Sequence, residues 1–232
     1  MSTRKEENIM FKEYVKRFSL CILSLVFFSF SHFASVRAGS AGTNAWSTLS
    51  LGISGKFEIS FGTATLMISL VIIAIDLLGR GKLGFGSFFN ALLVPVFSDL
   101  YLALLDFIPV ASNMITGVIW TLVGQLILSF GTVFYMSPAL GAGPRDTMMI
   151  LIGKKVPKVP IGAVKFGIEM VALLVGFLMG APVGIGTILV LVLQASMFQF
   201  ACKVMRYEPR NVDHESVFET YRRMFGRQKA ET

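Results

Sequence analysis

Residues 161–202 read IGAVKFGIEMVALLVGFLMGAPVGIGTILVLVLQASMFQFAC, two apolar runs (161–179 and 185–202) separated by a turn built on Ala181, Pro182 and Gly184. Apolar residues stand on every side of these runs rather than at i, i+3, i+4 spacing, so neither is the half-solvated helix of a soluble domain. At 1.5 Å per residue, each crosses a hydrocarbon layer of about 30 Å with little tilt. A helix is the structure that satisfies every backbone polar group of such a run without water.

Four further runs of the same kind lie at 18–36, 59–78, 85–105 and 110–130. With 54% hydrophobic residues and a mean hydropathy of +0.69, the 232-residue chain is expected to be an all-α integral membrane protein with six transmembrane helices. The first run has a rival reading as a signal sequence, because Lys12, Lys16 and Arg17 precede it and Val36-Arg37-Ala38 closes it. Its length and the internal repeat described below favour a retained span. Cys21 and Cys202 have no metal-ligand spacing and read as packing residues. The net charge of +7 sits beside the apolar runs and forms no basic helical face, so the expected polyanion is the lipid surface and not nucleic acid.

Positive charge fixes the expected orientation, because Lys and Arg are retained on the cytoplasmic side. The N-terminal tail, the second and fourth loops and the C-terminal tail together hold 18 of the 21 basic residues. The opposite side holds Arg37 and Lys56, and Lys165 lies within the fifth span. Both termini are therefore expected in the cytoplasm, with tails at 1–17 and 203–232.

Offset by about a hundred residues, the chain echoes itself. GTNAWSTL at 42–49 lies against GAGPRDTM at 141–148, and GFGS at 84–87 against GIGT at 184–187. Each half, 18–107 and 108–202, then holds three spans. Three is odd, so the halves enter the membrane from opposite sides, and an inverted three-helix repeat with short re-entrant or interfacial half-helices is expected.

The run LGAGPRDTMM at 140–149, followed by GIGT at 184–187, resembles the signature of the YczE-like branch of the YczE/YyaS/YitT bacterial membrane proteins. The resemblance covers roughly residues 15–202. Where that family carries a Pro-Trp-Asp sequence in its first half, this chain has Ala45-Trp46-Ser47, so the acidic position has no counterpart here. The resemblance implies a protein of the bacterial plasma (inner) membrane and supplies no reaction.

Gly143-Pro144-Arg145-Asp146 reads as a helix start: a glycine cap, proline at the first helical position, and an acid in the first turn. The helix over 144–152 is too short to span. Its open N–H groups with Arg145 suit a carboxylate, phosphate or lipid headgroup, while the plainer reading is that Arg145 pairs with Asp146 or anchors the loop. Asn44 caps the first-half counterpart, in which Trp46 suits the interface. Glu169, in the middle of the fifth span, needs a partner or a proton, and Lys165 four residues earlier is the expected partner. Asn90, Asp99, Gln125 and Gln199 read as interhelical hydrogen-bonding groups or ligands, and Asp76 beside Arg80 as interfacial. The candidate ligand- or ion-binding set is Arg145, Asp146, Glu169, Asn44, Gln125 and Asp99. Gly141, Gly143, Pro144, Gly184, Gly186 and Thr187 read as turn and packing positions, as do Gly176 and Gly180, expected where the fifth and sixth spans meet. Pro95 is expected to kink the third span.

Val217, Phe218, Tyr221, Met224 and Phe225 recur at helical spacing behind Asp213 or Ser216 as a cap, with Arg222, Arg223, Arg227 and Lys229 nearby. This suits a short helix on the inner leaflet or docked under the bundle. His32 and His214 have no partner at metal-ligand spacing. No catalytic residue, metal site or cofactor is expected, because the sequence holds no nucleophile–base pattern, phosphate loop or nucleotide fingerprint. The two functional readings are a small secondary transporter or permease-like protein, and a non-transporting membrane accessory that anchors a partner. The expected partners are the lipid bilayer, a small anionic ligand and a second copy of the chain.

Overall fold

The computed structural model describes residues 2–208 and 212–225, so Arg227 and Lys229 and the side chain of Phe225 lie outside the described part. The order is α1 (Ser2–Arg37), a 3₁₀ turn (Gly39–Ala41), α2 (Ala45–Phe57), α3 (Phe61–Leu78), α4 (Phe85–Leu104), α5 (Met114–Met136), α6 (Pro144–Lys155), α7 (Ile161–Leu178), α8 (Ile185–Val204) and α9 (Val217–Phe225). Six helices are long and apolar enough to cross a membrane: Met10–Arg37 within α1, and α3, α4, α5, α7 and α8. Their outward faces carry large apolar side chains such as Val71, Leu78, Val171, Leu178 and Val192, which only a lipid surround makes favourable. The protein is a polytopic α-helical membrane protein.

The order long, short, long, long therefore occurs twice. α1 and α5 pack against each other at the centre, α4 lies on α1, and α8 lies on α5. The short helices cross over: α2 packs on α7, and α6 on α3. Small residues permit these approaches, as where Gly124 meets Ala34 and Gly131 meets the backbone of Phe28 between α5 and α1. A signal-sequence role for α1 does not fit this arrangement, because Cys21, Leu25, Phe33 and Ala34 are fully buried in the bundle. α1 also begins at Ser2, so the boundary expected near residue 18 falls inside a continuous helix. α5 begins later than the apolar run does, because the Asn113 side chain accepts the Thr116 N–H and sets the cap there.

Two glycine crossings join the halves. A Cβ on Gly141, whose φ is +122°, would lie 2.6 Å from the Cα of Gly84. A Cβ on Gly42, whose φ is +78°, would lie 2.6 Å from the N of Gly184, and one on Gly184 would lie 2.6 Å from the Ser40 carbonyl oxygen. Gly42 and Gly141 need glycine twice over, for a left-handed backbone and for lack of space. The Gly86 N–H donates to the Leu140 carbonyl at 2.8 Å, and the Ser87 hydroxyl donates to the Ala142 carbonyl. On the other crossing, the Thr121 hydroxyl donates to the Gly42 carbonyl at 2.6 Å.

Gly176 serves a different helix from the one expected. It packs against Thr48 and Leu49 of α2, and not across the turn onto α8. α3 and α4 pack closely, whereas α7 and α8 do not. Gly180, with φ +94° and open space around it, makes the turn between them.

Gly141→Ala or Gly84→Ala places a methyl group inside backbone, and each is expected to leave little monodisperse protein on size-exclusion chromatography. Gly167→Ala, at a position with open space around the new Cβ, is expected to keep the wild-type elution profile and Tm.

Candidate functional site

Between the halves lies a cavity of about 660 Å³. Two helix starts border it. Asn44 caps α2, its side chain accepting the Ser47 N–H at 3.0 Å, which leaves the N–H groups of Ala45 and Trp46 at the cavity. Gly143 caps α6 with Pro144 at the first position, and Lys154 and Lys155 complement the dipole at the far end.

Five of the six candidate residues meet here: Asn44, Gln125, Arg145, Asp146 and Glu169. Arg145 lies over the Trp46 ring at 4.6 Å from its centroid, a cation–π contact joining the two short helices. Among the described residues it makes no ion pair, with Asp146 or any other carboxylate, so the loop-anchor reading is not the one the geometry favours. Burial pulls its pKa down to about 10, against the charges of Asp146 and Glu169, so it is a full cation at neutral pH. Burial raises the Asp146 carboxyl above its ordinary value, against the pull of Lys165, Arg145 and His214.

The partner of Glu169 is not Lys165. Gln194 of α8 donates its side-chain N–H to the Glu169 carboxylate at 2.6 Å, the polar link across the loosely packed α7–α8 seam. Lys165 also lines the cavity, near the start of α7, and is itself exposed. Asp99 stands apart from the site. It caps α3, accepting the Gly62 N–H at 2.6 Å and the Ser60 hydroxyl at 2.5 Å. Asp76, near the end of α3, is fully buried in the bundle, and among the described residues its carboxylate oxygens have no hydrogen-bond partner. Asn90 borders the cavity, Gln199 is exposed on the outer face of α8, and His32 is held 2.9 Å from the Ser98 hydroxyl.

Val212 and His214 of the C-terminal segment join the cavity lining. The segment's latch is Glu215, 4% exposed. Its carboxylate accepts hydrogen bonds from Arg17 (2.8 Å), Arg223 (2.9 Å), Thr220 (2.9 Å) and Tyr14 (3.0 Å). The Glu215 N–H donates to the Ala139 carbonyl at 2.9 Å, and Lys82 pairs with Glu219 at 3.0 Å. α9 is capped by Ser216 in a box with Glu219 and docks Met224 under the bundle.

A family model described as a family of unknown function, DUF6198, matches residues 15–203. The chain belongs to the DUF6198 family. It is 28% identical over 194 residues to the uncharacterized membrane protein YczE of Bacillus subtilis, covering 83% of this chain and 88% of that one. It is 29% identical over 168 residues to an uncharacterized protein of Haemophilus influenzae, covering 72% and 75%. No solved structure matches it.

Three residues of this DUF6198 site escaped the sequence reading. Gln194 is a lone amide in an apolar span, the same signal that marked Gln125. Tyr135, a 3% exposed lining residue whose hydroxyl has no partner among the described residues, lies at a span end where aromatics are ordinary. Glu215 reads in sequence as one more solvated acid beside a turn.

Glu215→Gln is expected to destabilise the latch by about 3 kcal/mol, since it uncouples a buried pair, and to speed trypsin cleavage at Arg222 and Arg223. Although burial raises the Glu215 pKa, the Arg17, Thr220 and Tyr14 contacts outweigh it and hold the carboxyl below its ordinary value. The latch is therefore at full strength above the ordinary carboxylate range and is lost as pH falls below it. Protection from trypsin-like proteases that work in acid is expected to fall with pH in the wild type and to be flat in the variant.

Proposed function

We propose that this DUF6198 protein is a small secondary transporter of the bacterial plasma membrane, built as an inverted repeat with both termini in the cytoplasm. What carries the reading is the convergence of two short-helix N-termini, one from each half, on a single cavity between the halves. Interrupted helices that aim their N-termini at a shared site let a repeat protein hold a solute within the bilayer. The repeated helix order and the two glycine crossings support the duplication. The 18-to-two bias of Lys and Arg supports the orientation.

Two contacts beside the cavity would have to yield for it to open further. On the basic side, Glu215, next to the lining residue His214, pairs with Arg17. Within the membrane, the Glu169–Gln194 hydrogen bond ties α7 to α8 where packing between them is thin. Glu169 is the coupling residue in this reading: taking up a proton changes what its carboxyl offers Gln194 and Arg145, and lets the seam rearrange.

Proteoliposomes loaded with a pH-sensitive dye test this with a panel of small metabolites added outside. Wild-type protein is expected to give substrate-dependent proton influx above protein-free vesicles. Glu169→Gln keeps an amide partner for Gln194 and is expected to fold normally and give none. Influx of unchanged size in the variant removes Glu169 from coupling. No influx with any compound, together with a stoichiometric co-purifying protein, assigns the chain to the accessory class instead.

A further inference from the structure

We infer that the cavity binds a monoanionic amphiphile, with its carboxylate or phosphate head beside Arg145 at the N-termini of α2 and α6 and its apolar body along α5 and α8. This deepens the transport reading by naming the class of substrate, and it rests on that reading for why such a site exists.

Charge balance sets the sign. The charged side chains on the cavity wall are two cations, Arg145 and Lys165, and two carboxylates, Asp146 and Glu169. They cancel. The helix ends do not: the N-termini of α2 and α6 each present roughly half a positive charge. The N-terminus of α7 at Ile161 and the C-terminus of α5 at Met136 also border the cavity, and they offset each other. About one negative charge is missing from the site, and a monoanion supplies it.

Unsatisfied groups place the head. Tyr135 and Gln125 line the cavity, 3% and 7% exposed, and among the described residues neither the Tyr135 hydroxyl nor the Gln125 side-chain oxygen has a hydrogen-bond partner. Buried polar groups left open in this way cost stability unless something fills them. The Tyr135 hydroxyl is a donor to an acid oxygen, and Gln125 accepts from an acid's hydroxyl or from water. The Arg145 guanidinium, over the Trp46 ring, makes no hydrogen bond to a described residue, so its N–H groups are open to an acid group. Leu128 of α5 and Leu191 and Phe198 of α8 add apolar wall that suits a short hydrocarbon body.

Trp46 is a built-in reporter, since Trp120 is the other tryptophan of the chain. In full-length Trp120→Phe protein in neutral detergent, hexanoate is expected to change Trp46 emission saturably, while hexylammonium and hexanol at equal concentration do not. Arg145→Gln is expected to weaken hexanoate binding about tenfold or more, the loss of one charge-assisted contact. Tyr135→Phe, which deletes an orphaned hydroxyl, is expected to keep or raise the Tm of the empty protein and still weaken binding several-fold; a merely structural tyrosine would not separate the two. Glu169→Gln, which removes a negative charge from the wall, is expected to bind hexanoate more tightly. Phosphatidylglycerol titrated into phosphatidylcholine nanodiscs forms the second arm. A response to hexanoate identifies a free acid as ligand, and a response to phosphatidylglycerol alone identifies a lipid headgroup. Equal responses to hexylammonium, unchanged affinity in Arg145→Gln, or no response to either anion overturns the inference. Binding without uptake removes the transport reading and leaves this one standing, whereas proton-coupled uptake of a cation or neutral compound does the reverse.

Discussion

Everything at the centre of this molecule depends on backbone meeting backbone at two places, Gly84 on Gly141 and Gly42 on Gly184. In lipid the hydrophobic effect does little to press helices together, so close van der Waals approach and backbone hydrogen bonding must do it. A single methyl group at either crossing would hold the halves apart. With the approach intact, the loop before α6 is pinned to the start of α4, and the loop before α2 packs on the start of α8 and is hydrogen-bonded to α5. Those pins fix where the two short helices begin, and hence where their N–H groups and Arg145 point. The cavity is a consequence of the crossings.

The same four glycines are the ones that the internal echo aligns, Gly42 with Gly141 and Gly84 with Gly184. A contact between the first of one half and the second of the other is thus made twice. The halves also differ. Trp46 faces Arg145, an aromatic against a cation at corresponding positions, and α7 and α8 separate where α3 and α4 pack. The polar groups of the site gather on the looser side.

Much of this was legible in the residues. Spans announced themselves by length and hydropathy, because lipid imposes the same demand on every residue of a span. Local caps were legible too: Asn44, Gly143-Pro144 and Ser216 act within four residues of themselves, and the chain carries that information alone. Long-range partnerships were not. Glu169 pairs with Gln194 and not with its helical neighbour Lys165, Asp99 caps a helix 37 residues away, and Gly176 serves α2. Each of these depends on which helices are neighbours, which periodicity cannot state. Asp76 and Glu215 show the limit most plainly, since both look like ordinary acids at helix ends and both are buried.

The central claim is that the halves face opposite ways, and the loops that correspond to each other test it. Arg80 and Pro182 are exposed in the α3–α4 and α7–α8 loops. In a background lacking Cys21 and Cys202, single cysteines at these two positions are to be labelled in cells with a membrane-impermeant maleimide. The inverted arrangement predicts that Pro182→Cys reacts in intact cells and Arg80→Cys only after permeabilisation; labelling of both from one side would contradict it.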